Sequence, residues 1–444
     1  MSAAELWNSA ARVLDANWSG DHMVPSRRLY PHQWSWDTAF TAIGLAYVNP
    51  ARGWRDLRSL FEAQWPDGRV PHIVFDPATA ESDYFPGPSF WDVPAYLRRP
   101  AHGSTGVVQP PLHALAAWKI YRHAGAHGAA CGLQARTELE WLYPRLVAQQ
   151  EYLLGPRNLG RTGLAGIVHP WESGLDDSPA WDAALANVPA DLSLPTGVAD
   201  AARRPTDAHH ARRLGLVLSY RAERYTDHDL LSRHPFAVEC PSFNAILASA
   251  ELALAQIAGV LGRVAEAVAH AERAHRITKA IAKHLWNPAT GMFHARDVHT
   301  GTLSPERCVS GLVPLMLPDL PAEQVEAILA QARSSRFGLP ERTDLPAPSY
   351  DRTAPGFDPT RYWRGPIWIN INWLLWRGLL VHGRRDEAED LRTAMVRLVH
   401  RNGHFEYFHP STGEGLGAPA FSWTAALSLD LLADRSIPAY ARAA

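Results

Sequence analysis

Three carboxylates, a histidine and a tryptophan crowd into eleven residues at His169-Pro170-Trp171-Glu172-Ser173-Gly174-Leu175-Asp176-Asp177-Ser178-Pro179. Pro170, Gly174 and Pro179 bend the backbone repeatedly, which excludes a regular helix. Polar groups gathered on a bent loop build sites more readily than cores. Trp171 and Trp181 bracket Glu172, Asp176 and Asp177, so partial burial is expected. Burial raises a carboxyl pKa, as a general acid working near neutrality requires. Asp177 beside Asp176 is expected to add to that rise. A solvated acidic turn is the plain alternative.

A second acidic loop, Phe405-Glu406-Tyr407-Phe408-His409-Pro410-Ser411-Thr412-Gly413-Glu414-Gly415, offers two further glutamates. Glu406 sits between aromatic residues in an expected short strand, whereas Glu414 stands between glycines. A general base must be held rigidly, which favours Glu406. Carboxylates on two separate loops suit glycoside hydrolysis, in which one protonates the leaving oxygen and the other activates water.

Aromatic residues surround these acids. The chain holds 17 Trp in 444 residues, several of them in broken, polar loops. An indole face stacks on the C–H face of a pyranose ring, so a sugar site is the sharper reading and a ring-rich core the plainer one. Tyr30-Pro31-His32-Gln33-Trp34-Ser35-Trp36-Asp37 leads into a helix, leaving Asp37 open to two roles: first-turn carboxylate or acceptor for sugar hydroxyls. Trp65 to Phe75 and Tyr84 to Trp91 read as pocket wall, with His72 more suited to structural hydrogen bonding than to catalysis. Arg361-Tyr362-Trp363-Arg364-Gly365-Pro366-Ile367-Trp368 is expected to open a helix, with Arg364 and Trp368 one turn apart on one face.

Other chemistries find no support. Net charge is −2 and no basic stripe is present, against nucleic-acid binding. No apolar run reads as the roughly 20 residues of a membrane span, and the N-terminus is amphipathic rather than a secretory signal. Three cysteines, Cys131, Cys240 and Cys308, lack metal or disulfide spacing, pointing to a reducing cytoplasm. Phosphate-binding and dinucleotide loops are absent, as are zinc and calcium motifs, and Ser173 lies outside a nucleophile elbow. No metal or organic cofactor is expected.

Helical periodicity dominates the elements that must position these groups. It predicts helices near 2–18, 36–48, 51–64, 110–125, 134–154, 206–225, 242–259, 263–286, 321–333, 364–380, 385–401 and 421–433. Short strands are expected only around Met292-Phe293-His294 and His404-Phe405-Glu406-Tyr407. Long loops near 19–33, 65–109, 155–205, 335–363 and 402–420 alternate with helix pairs. If the helices form a ring, those loops gather at one mouth. The expected fold is therefore all-α, an (α/α)6 toroid spanning 1–444 as one domain, with cap or lid loops at 65–109 and 185–210.

The motifs at 30–37, 169–176, 362–368 and 406–413 resemble, in this order, those of glycoside hydrolase family 63, most closely its short bacterial glucosylglycerate and mannosylglycerate hydrolases. The resemblance extends from about Trp7 to Leu432. It implies the same toroid and an inverting mechanism, with Asp176 as general acid and Glu406 as general base. It also implies a sugar pocket of Tyr30, Trp34, Trp36, Asp37, Gln109, Trp171 and Trp368, with Arg204 and Tyr362 toward an acidic aglycone; Arg364 is a further candidate contact. Asp177 replaces an expected Asn, and His209-His210 replaces an expected acidic and aromatic pair. The substrate implied is a small α-linked glucoside or mannoside. Trehalase- or kojibiose-type hydrolysis is a rival, as is a sugar epimerase using a pair among His72, His169 and His404. Oligomeric state stays open, with a symmetric homo-oligomer the general expectation.

Overall fold

The computed structural model describes residues 2–98, 102–194, 206–339 and 345–433. Arg204 and the middle of the 185–210 segment lie outside them. Among the described residues the helices are α1 (Ala3–Asn17), α2 (Ser35–Val48), α3 (Pro50–Glu62), α4 (Pro88–Trp91), α5 (His113–Ala124), α6 (Ala129–Leu154), α7 (Asp182–Ala186) and α8 (Asp207–Ala222). They continue with α9 (Leu230–Arg233), α10 (Pro241–Val260), α11 (Val264–His284), α12 (Ala322–Arg333), α13 (Ile369–Val381), α14 (Arg385–Asn402) and α15 (Ser422–Ala433).

Composition sorts these helices into two shells. In α2, α10, α13 and α15 nearly every residue is apolar or small, and nearly every residue is buried. A helix apolar on all sides must be enclosed on all sides. By contrast α11 buries only His270, Ala274, Ile277, Thr278 and Ile281, a stripe at spacings of three and four. The α14 helix likewise buries Leu391, Met395 and Leu398 and exposes charge elsewhere. Enclosed helices neighbour one another in a cycle: α2 packs on α5, α5 on α10, α10 on the short 3-10 turn Val313–Met316, that turn on α13, α13 on α15, and α15 on α2. Outside them, α1 packs on α15, α3 on α2, α6 on α5, α11 on α10 and α14 on α13.

The α10 helix is long and apolar enough to span a membrane by length and composition, contrary to the sequence expectation. It is a core helix here. Glu251 on it is wholly buried between His270 and Arg273 of α11.

Short antiparallel strand pairs stitch the loops together. Strand β1 (Gln33–Trp34) pairs with β2 (Ile73–Val74), setting Gln33 opposite Val74 and Trp34 opposite Ile73. A three-stranded sheet joins β3 (Gly166–Ile167), β4 (Val238–Glu239) and β7 (Arg296–Asp297) in the order β3-β4-β7, and β5 (Trp286–Asn287) forms a hairpin with β6 (Met292–Phe293). Strand β8 (Tyr407–Phe408) pairs with β9 (Gly415–Leu416), and Ile367 bridges to Phe408.

Several boundaries differ from the sequence expectation. The helix expected at 364–380 begins only at Ile369, because Pro366 has no N–H and forces its predecessor out of helical geometry. Arg364 and Trp368 are consequently not one turn apart on a helix. Residue 286 belongs to a hairpin rather than to α11. At α10 the helix starts at Pro241 rather than at 242, with Cys240 as its cap. Glu406 directly precedes β8 instead of lying within it.

Candidate active site

The loop 169–177 is folded chiefly by its own polar groups. The His169 ring accepts from the Trp171 N–H through Nδ1, which leaves Nε2 to donate to the Arg213 carbonyl at 3.0 Å. Residues Pro170–Ser173 form one 3-10 turn, and Ser173 Oγ donates to the Pro170 carbonyl while accepting from the Leu175 N–H. Gly174 follows at φ +71, a conformation a side chain would resist. A Cβ there would also meet the Trp36 ring at 2.5 Å.

The three carboxylates of this loop go to three places. Glu172 is wholly buried and accepts four hydrogen bonds, from Val108 N–H at 3.1 Å, Val168 N–H at 2.7 Å, and both Arg157 terminal nitrogens at 2.8 Å. With every acceptor direction committed, Glu172 anchors the loop and has no part left for chemistry. Asp177 is wholly buried among arginines. Burial pushes it up, but His209 and the guanidinium groups of Arg213, Arg364 and Arg361 outweigh that and hold it well below the usual carboxylate range. Its charge is matched by these cations. Only Asp176 reaches the cleft.

That cleft, together with its open mouth, takes in about 380 Å³. Its wall includes Tyr30, Trp34, Trp36, Asp37, Gln109, Asp176, Tyr362 and Glu406, eight residues singled out from sequence. Glu406 is 1% exposed and fixed at both oxygens. Oε1 accepts from the Tyr30 hydroxyl at 2.8 Å and Oε2 from the Ala418 N–H at 3.0 Å. Glu414 is exposed. Asp37 lies in the first turn of α2, which takes its cap from outside: the Gln109 side-chain oxygen accepts from the Trp36 N–H at 3.0 Å. Burial, then the charge of Glu406, then that of Asp176 push Asp37 well above the usual carboxylate range. Carboxyls from three distant segments thus share one hollow, and Asp37 feels the charge of the other two.

The structure does not bring Trp171, Trp368 or Arg364 to the cleft wall. Trp171 stands behind the wall residue His72, near parallel at 6.1 Å between ring centres. Trp368 is 1% exposed, stacked between Trp363 at 3.8 Å and Tyr407 at 4.7 Å. Its indole N–H donates to the Tyr362 carbonyl, so it shapes the backbone that presents Tyr362. Arg364 is committed to Asp177 and Asp182. Sequence reading missed Pro25, Phe421 and Trp423 as wall residues. The Phe421-Ser422-Trp423 triplet at the start of α15 repeats the aromatic spacing of Trp34-Ser35-Trp36 at the start of α2, a signal that was available. Of the three histidines considered as a proton-transferring pair, only His72 lines the cleft, and burial lowers it to about 3.

Three carboxyls from distant segments share one ring-walled cleft, the kind of side-chain set a glycoside hydrolase uses. Residues 30–424 match the family model described as the mannosylglycerate hydrolase MGH1-like glycoside hydrolase domain, and the chain belongs to that family. It is 40% identical to a mannosylglycerate hydrolase of Rubrobacter radiotolerans, covering 96% of this chain and 97% of that one. Identity to a glucosylglycerate hydrolase of Mycolicibacterium hassiacum is 34%, covering 95% and 96%. The crystal structure of a family 63 mannosylglycerate hydrolase from Thermus thermophilus, in complex with Tris and D-glycerate, superposes with a TM-score of 0.85 at 36% identity, covering 96% of this chain and 99% of that one.

Proposed function

We propose that this chain is an inverting α-glycosidase that cleaves a small glycoside of glycerate, α-mannosylglycerate or α-glucosylglycerate. The observation that carries the reading is the shared cleft of Asp176 and Glu406, whose charges both push Asp37 toward its protonated form. Asp176 protonates the glycosidic oxygen as the bond to the anomeric carbon breaks. Glu406 takes a proton from a water that attacks that carbon from the opposite face. Room for the water implies carboxyl groups about 6.5–9.5 Å apart. Tyr30 and the Ala418 N–H hold the Glu406 carboxylate in one orientation, so little reorganisation is needed as the water is activated. Asp37, kept protonated further toward neutrality than an ordinary carboxyl, is suited to donating to a sugar hydroxyl. Trp34, Trp36 and Tyr362 supply apolar faces for the ring.

The cycle of enclosed helices ringed by amphipathic ones supports an (α/α)6 toroid forming a single domain, in which one inner position is filled by the short turn Val313–Met316. A cytoplasmic setting belongs to the same proposal, since Cys131, Cys240 and Cys308 are free thiols.

The test is a hydrolysis panel of α-mannosylglycerate, α-glucosylglycerate, glucosylglycerol, trehalose and kojibiose, with the anomer of the first-formed hexose read by NMR. Release of the β-anomer from one of the glycerate glycosides is expected. Release of the α-anomer overturns inversion, and preference for trehalose or kojibiose overturns the aglycone assignment.

A further inference from the structure

Asp177 adjoins the proposed acid yet takes no part in the cleft wall. Its Oδ1 accepts from Arg213 Nη2 at 3.1 Å and lies 3.7 Å from His209 Nδ1, both on α8. Its Oδ2 faces Arg361 Nε at 3.1 Å and Arg364 Nε at 3.2 Å, on the loop leading to α13. Arg364 is also paired to Asp182 of α7 through both terminal nitrogens. Three guanidinium groups therefore converge on one buried carboxylate, with Asp182 the other anion of the cluster.

Arg213 is the hinge of this arrangement. Its Nη2 donates to the Asp176 carbonyl at 2.8 Å as well as to Asp177, and its own carbonyl accepts from His169. One residue of α8 thus holds both ends of the acid-bearing loop. Its Nε and Nη1 are buried without a hydrogen-bond partner, so Asp177 is the side-chain anion that compensates it. Arg361 is adjacent to Tyr362, a cleft-wall residue at φ +31.

We propose that Asp177 is a positioning residue for the acid: it gathers Arg213, Arg361 and Arg364 behind the loop, fixes the Asp176 peptide through Arg213, and cancels cationic charge that would otherwise act on the Asp176 carboxyl. The inference rests on reading Asp176 as the acid. An uncancelled cation favours the ionised form of a nearby carboxyl and so depletes the protonated form that must give up its proton. Inside the cleft Asp176 shares its wall with Asp37 and Glu406, and anionic charge there acts the other way. Asp177 preserves their effect by removing the opposing one. A unit charge some 6 Å away in a medium of effective dielectric about 20 moves a titration by about two pH units.

The experiment is the pH dependence of kcat and kcat/KM for the full chain on α-mannosylglycerate, or on α-glucosylglycerate if the panel selects it. Asp177→Asn keeps the shape and removes the charge. The basic limb is expected to move down by about one pH unit, with kcat at pH 8 falling about tenfold and KM changing less than about threefold. Arg361→Gln removes one cation and is expected to move the same limb upward. The double variant is expected to restore the wild-type limb, which a merely structural ion cluster does not predict. Asp176→Asn is measured alongside. If that variant is inactive while the basic limb stays put in Asp177→Asn, the charge-compensating role is overturned and the acid assignment stands. If Asp176→Asn retains activity, the acid assignment itself falls. Should Asp177→Asn fail to fold, an unmoved limb in Arg361→Gln overturns the inference.

Discussion

A carboxylate's neighbours, more than its identity, divide the labour among Glu172, Asp176 and Asp177. Replacing Asp176 by Asn or Glu406 by Gln is expected to lower kcat by about 10³-fold or more while leaving the thermal melt near wild type, since each change preserves shape. Steady-state kinetics with a melting curve on the same sample checks this. Glu172→Gln is expected to do the reverse of a mild change: it leaves the buried Arg157 with Asp227 as its one remaining counter-charge, at a cost of about 3 kcal/mol. A large fall in unfolding free energy by urea titration is the readout. The sequence revealed that the loop was acidic, bent and ringed by aromatics. It could not reveal which acid was spent on packing, because Arg157, Arg213 and Arg361 come from distant segments with no local signature.

A pair of two-residue strands, not a helix, decides where Glu406 sits. The β8–β9 hairpin turns Glu406 toward Tyr30 and brings Gly417 against its Oε2, at φ +71. A methyl at Gly417 would overlap that oxygen and strain the backbone by about 1–2 kcal/mol. Gly417→Ala is therefore expected to lower kcat by about 100-fold or more with only a small loss of stability; comparing kcat with the melting temperature separates the two effects. Helices such as α10 and α14 were legible from periodicity alone, within a few residues. Strands such as β1, β2, β3 and β9 were not, because two residues carry no alternation. The same blindness displaced the start of α13: an aromatic, arginine-rich run looks helical until Pro366 is weighed for what it forbids.

At the scale of the whole molecule, neutral histidines are built into the interior. Burial lowers His32, His113, His210, His234 and His404 to about 4 and His72 to about 3, and pushes His169 well below its ordinary range. An unfolded histidine takes its proton near pH 6.5, so the unfolded chain binds more protons than the folded one below that value. Stability is then present above pH 6.5 and lost as pH falls toward 4, by up to about 1.4 kcal/mol per pH unit for each such residue. Asp56, raised to about 6 by burial, and Asp37, also pushed well above its usual range, work the other way but are two groups against seven. The melting temperature is expected to drop from pH 7 to pH 5; a flat or rising trend would contradict this account. The overall helical character was readable from composition and periodicity, whereas the order in which helices touch was only inferred from alternation.

The Tyr30–Glu406 hydrogen bond spans 376 residues of chain. A tyrosine near one end of the sequence thus steadies the carboxylate proposed to activate water near the other, so on that reading no contiguous half of the polypeptide holds a working subset of the catalytic apparatus. On renaturation from urea, helical ellipticity should return well before turnover does, and a single proteolytic cut that lets the two ends drift apart should silence the enzyme outright rather than slow it by degrees.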